Sequence, residues 1–164
     1  MPEQYSDKSI TPFEFLDEIF SEADPDTEVV CVSKMIPDRD GGSPGFWNIS
    51  DQEKPFRTWK PLRQNQAWYF CVSTVDGEKN AKGTAVRRRT QNAVRYHVLV
   101  LDDIGTKAEM PPVEPTYRLT SSVVESQDNE QWAYKLVPGS DMMRYEALLE
   151  YCHEKGWGDR KSVV

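Results

Sequence analysis

Apolar positions follow two different periods along this chain. Phe13, Leu16, Ile19 and Phe20 recur at helical spacing, so the pattern predicts a short amphipathic helix over 12–22. Thr11 is a good N-cap, Pro12 suits the first helical position, and Glu14 stands at the capping-box site. Asp24-Pro25-Asp26 ends that helix. Residues 28–36 alternate and are β-branched, which predicts a strand; 37–45 (PDRDGGSPG) is a turn-rich loop, and 46–49 a short strand. Residues 50–65 are polar and irregular, with Trp59 read as a core anchor rather than a lid. The run QAWYFCVSTV at 66–75 predicts one strand, and 86–96 a short helix. YHVLVLDDIGTK at 96–107 reads as a buried strand that runs out at Asp102 and Asp103 into a turn. Pro111, Pro112 and Pro115 force an extended connection. The segments 116–121 and 131–137 predict a hairpin. Residues 141–155 predict the best helix, capped by Asp141, stopped by Gly156, with Met142, Tyr145, Leu148, Leu149 and Cys152 on one side. This order predicts an α+β fold with an antiparallel or mixed sheet covered by helices.

Composition narrows the class. A length of 164 residues is read as one domain over 1–164, with residues 1–10 a flexible tail. Charged residues at 29% and apolar residues at 38% suit a soluble globular chain rather than a disordered one. No apolar run approaches the roughly 20 residues that cross a bilayer, and MPEQYSDKSI lacks the features of a secretory signal, so an intracellular protein without membrane attachment is expected. Cys31, Cys71 and Cys152 are widely spaced, which argues against a zinc ribbon or a disulfide framework; Cys31 and Cys71 are read as core thiols.

Charge matters through its distribution. The net charge is −7, yet Lys79, Lys82, Arg87, Arg88, Arg89 and Arg95 fall in a stretch with no acid. Such a segment can bind phosphates locally, because fields decay over about 10 Å at 0.1 M salt; the alternative is a solvated basic loop. Asp102 and Asp103 offer the hard oxygen donors that Mg²⁺ or Mn²⁺ prefer, and the alternative for them is a solvated turn. Gly105-Thr106-Lys107 is not a phosphate-binding P-loop, there is no Gly-x-Ser-x-Gly elbow, and His97 and His153 stand outside any metal spacing and are read as structural.

Several ordered segments carry a resemblance. HVLVLDDIGTK, then PTYRLTSS, then QWAYKL, preceded by WYFCVST and the Arg-rich segment, resemble the phage and plasmid primase-polymerase branch of the archaeo-eukaryotic primase superfamily, over about residues 65–156. The resemblance implies an RRM-like α+β core that extends primers on single-stranded DNA from nucleoside triphosphates, uses two divalent metals, Mg²⁺ or Mn²⁺, and is often joined to a helicase. It implies the cytoplasm, that of the host for a phage-encoded protein. Asp102 and Asp103 match the catalytic, metal-binding acids, although the family usually separates them by one apolar residue. Neighbouring acids on a strand point to opposite faces unless the strand ends or bulges there. Ser121 and Ser122 supply the small hydroxyls of the nucleotide-binding motif, and Gln131 sits near the place of its histidine. Lys107 is the candidate for the nucleotide phosphates, and Lys82, Arg87, Arg88 and Arg89 for the template backbone. Tyr96, Trp132 and Tyr134 are read as base-stacking faces or core. The family's third acid is expected near the end, where Asp159 matches poorly, so the chain is either a part of a longer protein or lacks that acid. Two further readings stand beside catalysis: a primase-fold domain that has lost it and binds nucleic acid or a replication partner, and an acidic interaction protein similar in its sheet alone.

Overall fold

The computed structural model describes residues 12–36, 45–48, 67–84, 86–124 and 127–158. In chain order they form α1 (Pro12–Ile19), β1 (Val32–Ile36), β2 (Gly45–Asn48), β3 (Ala67–Phe70), β4 (Ser73–Val75), β5 (Ala93–Ile104), β6 (Tyr117–Val124), β7 (Gln127–Gly139) and α2 (Met142–Glu154). The tail 1–10, Thr11, the loop 37–44, the stretch 50–65 with Trp59, and Asp159 lie outside the described residues. The strands make two antiparallel sheets, ordered β2-β1-β3 and β4-β5-β7-β6. The described residues are thus mixed α and β, with antiparallel sheets and two α-helices.

β5 is apolar on both faces because both are covered. Val98 and Val100 pack with Phe15, Leu16, Ile19 and Phe20 of the α1 segment. Leu99 and Leu101 pack instead with Tyr145, Leu149 and Cys152 of α2. β7 repeats the alternation, with Ala133 toward α1 and Trp132 and Tyr134 toward α2. The two helices therefore lie on opposite faces of the four-stranded sheet, and each fully buried aliphatic side chain contributes about 1.5–3 kcal/mol. The predicted hairpin is β6–β7, in register from Tyr117↔Ala133 to Val124↔Gln127 with one shift between Thr120 and Ser122.

α2 starts and stops where its local chemistry dictates. The Asp141 side chain accepts from the Arg144 N–H, which satisfies one of the open donors of the first turn. Gly156, at φ 82°, turns the chain left-handed after the last turn. Its N–H donates to the His153 carbonyl and the Trp157 N–H to the Cys152 carbonyl, the paired bonds of a Schellman stop. Trp157 then packs beside Cys152.

Three expectations need correction. Residues 86–96 are not helical: a single 3₁₀ turn at Thr90–Asn92 leads into β5 at Ala93, because Ala93 and Tyr96 pair with Val75 and Ser73 of β4. The strand expected over 66–75 is two strands in two sheets. It breaks at Cys71–Val72, where the Val72 carbonyl accepts from the His97 N–H across the gap. Helix faces also shift. Phe15 is buried beside Leu16, whereas Leu148 is 41% exposed, so the apolar side of α2 runs through Tyr145, Leu149 and Cys152.

Candidate functional site

Asp102 and Asp103 sit where β5 runs out, and the strand bulges there. Leu101 pairs with Trp132 and Ile104 with Glu130, so one extra residue is absorbed between them. Leu101 and Ile104 both join the core on the α2 side, three residues apart, which strict alternation would forbid. The extra residue is taken up by Asp103, whose φ of 59° is the left-handed conformation that Asp tolerates better than most side chains. The bulge is the circumstance that frees two neighbouring acids from opposite faces.

The turn is held by its own side chains. The Asp103 N–H donates to Asp102 Oδ1 at 2.8 Å. The Asp103 carbonyl accepts from the N–H groups of Lys107 and Ala108 at 3.2 and 3.0 Å. Asp103 is buried, and its Oδ1 accepts from Asn129 Nδ2 at 2.7 Å. Thr106 Oγ1 in turn donates to Asn129 Oδ1 at 2.8 Å, which fixes that amide. Lys107 Nζ lies 3.6 Å from Asp103 Oδ2. Gly105, at φ 84°, makes the reversal that brings Lys107 back over the acid.

Register brings other predicted residues to this turn. Ser122 pairs directly with Asn129, the partner of Asp103. Gln131 is two residues from Asn129 on β7, so alternation puts both on one face. Ser121 stands beside Ser122 at the shift in β6. Asp102, Asp103, Lys107, Ser121, Ser122 and Gln131 thus share one end of the β5–β7–β6 sheet. Asn129 and Thr106 complete the arrangement and were not among the sequence candidates. Nothing local marks them, because their role arises from a contact 23 to 26 residues away in the chain. Two carboxylates suit Mg²⁺ or Mn²⁺ in donor type, since Mg²⁺ usually takes one or two carboxylates and completes its shell with water and substrate phosphate. Among the described residues, no three His, Cys, Asp or Glu side chains gather as a metal group.

The basic residues lie at the other end of β5. A bridge between Lys79 and Val86 closes a small loop, inside which Asn80 binds Thr84. Asn92 Nδ2 pins the loop's base to Asp76 and Glu78. Lys82 is exposed on it and Arg89 just beyond it, Arg87 pairs with Glu78 at 3.6 Å, and the Arg88 charge helps to lower the Cys71 thiol. From the start of β5 to Asp103 is about 30 Å at roughly 3.3 Å per residue. Arg95 is withdrawn from this group, because its guanidinium binds Glu28.

Glu28 forms a second polar centre, enclosed in the α1 face. It is 2% exposed and accepts from Arg95 Nη2 at 2.6 Å, from the Asp24 N–H at 2.7 Å and from the Thr74 hydroxyl. His97 Nε2 lies 3.2 Å from Glu28 Oε1, and Phe20 packs against the imidazole. Burial would raise the Glu28 carboxyl, but the bonds from Arg95, Thr74, Asp24 and His97 outweigh it and hold the group at about 2. Burial pushes the His97 imidazole below its ordinary value, with Glu28 opposing. His97 and Thr74 are both 0% exposed, so this centre braces the packing of α1 on the sheet and meets no substrate.

Of the aromatic candidates, Trp132 is a core residue: it is 2% exposed, donates to Glu130 Oε2 and carries the Arg118 guanidinium over its ring. Tyr96 stacks on Tyr145 at 4.3 Å, and the Tyr134 hydroxyl donates to the Val113 carbonyl. No helix among the described residues is long and apolar enough to cross a membrane. No protein-family model matches the chain, and neither a curated protein nor a solved structure matches it.

Proposed function

We propose that this chain is a primase-polymerase-type domain that binds single-stranded DNA and carries out metal-dependent nucleotidyl transfer at the Asp102–Asp103 bulge. The observation that carries this reading is the convergence of two carboxylates, Lys107, Ser121 and Ser122 at the β6 shift, and Gln131 at one sheet end. Asp102 and Asp103 would hold Mg²⁺ or Mn²⁺, which when bound steadies the attacking and leaving oxygens of phosphoryl transfer. Asn129 orients the Asp103 carboxylate, and Lys107 places a cation where triphosphate charge collects. Exposed Lys82 and Arg89 serve the template backbone at the far end of β5. The RRM-like core belongs to this proposal at the level of a four-stranded antiparallel sheet carrying helices, with the strand order β4-β5-β7-β6 and the helices on opposite faces. Work in the cytoplasm beside a helicase goes with the same reading.

A second reading has its own support. Both Asp103 oxygens face protein partners and Asp102 Oδ1 closes the turn, so the acids also make sense as a self-contained structural element. On that reading the domain binds nucleic acid without catalysis. Nucleotide incorporation on primed and unprimed single-stranded DNA with Mn²⁺ separates the two. Under the first reading the chain incorporates nucleotides, and Asp102→Asn and Asp103→Asn each lower the rate by roughly 100-fold with DNA affinity intact. Binding without incorporation by the parent chain supports the second.

A further inference from the structure

We propose that Cys31 and Cys71 are a reversible redox pair, with Cys71 the peroxide-reactive thiol and Cys31 its resolving partner. The two stand directly opposite: Val32 pairs with Phe70 on the adjoining antiparallel strands, and the next pair outward is Cys31 and Cys71. The Cys71 N–H donates to the Cys31 carbonyl at 3.0 Å, so the backbones are in contact at this pair. Facing residues of an antiparallel pair have Cα atoms about 4.5–5.5 Å apart, inside the roughly 4.4–6.8 Å that a disulfide spans. Neither is in a disulfide; Cys31 is buried and Cys71 half-buried. Accessibility therefore assigns first attack to Cys71 and resolution to Cys31.

The surroundings fit the same division. The Cys31 bond draws the Cys71 thiol down to about 7, burial opposes it, and the Arg88 charge and hydrogen bond assist. Cys152, packed in the α2 core, has its thiol pushed up by burial. The surroundings of Cys71 thus favour its thiolate, whereas those of Cys152 oppose it.

The chemistry balances with hydrogen peroxide as the oxidant. The Cys71 thiolate attacks one peroxide oxygen; an S–O bond forms, the O–O bond breaks, and the departing hydroxide takes a proton to become water. The Cys31 sulfur then attacks the sulfenic sulfur. The S–S bond forms, the S–O bond breaks, and the hydroxide leaves with the Cys31 proton as a second water. Two thiols are oxidised and one peroxide is reduced.

The test treats the whole chain with equimolar hydrogen peroxide near neutral pH, alkylates the remaining thiols and maps peptides by mass. The expected result is a Cys31–Cys71 linked peptide, two hydrogens lighter and restored by dithiothreitol, with Cys152 still alkylated. In Cys31→Ser the Cys71 sulfenic acid should accumulate and be trapped by dimedone. Retention of both thiols at a peroxide level that oxidises Cys152, or a link to Cys152 instead, overturns the proposal; the wild-type arm decides this even if the variant does not fold.

Discussion

At the scale of single residues, Asp103 joins backbone and side-chain demands that no substitute meets together. Its left-handed φ of 59° favours Gly on conformational grounds, yet its carboxylate is needed by Asn129 and Lys107. Asn129→Ala leaves Asp103 Oδ1 and the Thr106 hydroxyl without their buried partner, so it should destabilise the fold by about 1–3 kcal/mol, read from urea unfolding midpoints. Glu28 gives a second expectation, in pH. Its carboxyl is depressed from 4.5 to about 2, so its stabilisation is fully present above pH 4.5 and is lost as pH falls through 2. The full contribution is about 3 kcal/mol for this enclosed group. His97 acts in the same direction at higher pH, because a depressed imidazole loses stability as pH drops below its ordinary value. Thermal unfolding followed from pH 7 down to pH 2 should show a continuous fall in the midpoint, and Glu28→Gln should flatten its acid limb. An acid limb unchanged in that variant would show that other groups govern acid unfolding.

At the scale of elements, the last turn of the chain's described part couples α2 to β5. A side-chain carbon at Gly158, where φ is +90°, would meet Leu101 Cβ and Cδ2 at 3.3 Å. At Gly156 it would meet Glu109 no closer than 3.7 Å. Both alanine variants carry the backbone strain of about 1 kcal/mol, but Gly158→Ala also displaces a core leucine, so it should lower the melting temperature more than Gly156→Ala does. The comparison of elements shows what a sequence discloses. β5, the β6–β7 hairpin and α2 were legible because their patterns are long and their caps are local: Asp141 and Gly156 act within a few residues of the helix they bound. The break at Cys71–Val72 was not, because it is made by a bond from His97, and aromatic and β-branched residues suit either side of a bend. Arg95 looked like part of a basic surface until its partner 67 residues away was known. In the candidate site, the acids, Lys107 and Gln131 were legible by type, whereas Asn129 and Thr106 depend on strand register, which a single sequence does not state.

At the scale of the whole molecule, the proposed function asks an acidic chain to hold an anionic polymer through a small region. The net charge of −7 repels DNA at long range, but at 0.1 M salt that repulsion decays over about 10 Å, so the exposed cations Lys82 and Arg89 can attract phosphates locally. Binding should therefore be weak at very low salt relative to a basic protein, yet still fall as salt rises, since each phosphate contact releases a counterion. For single strands the slope of log K against log salt is about −0.7 per contact. Lys82→Glu combined with Arg89→Glu removes two exposed cations and leaves the Asp76–Asn92–Glu78 anchor of the loop untouched, so folding should be unaffected. That pair should reduce the magnitude of the slope by about 1.4 and weaken binding evenly across sequences. Fluorescence anisotropy of a labelled oligonucleotide between low and physiological salt measures both. The same variant also probes the roughly 30 Å between loop and acids. If the strand runs from one to the other, a short oligonucleotide that reaches only one end should lose most of its sensitivity to the substitutions, whereas a longer one should keep it. Equal sensitivity at both lengths would mean that the loop binds DNA by itself, and that the acids at the far end of β5 act on something else.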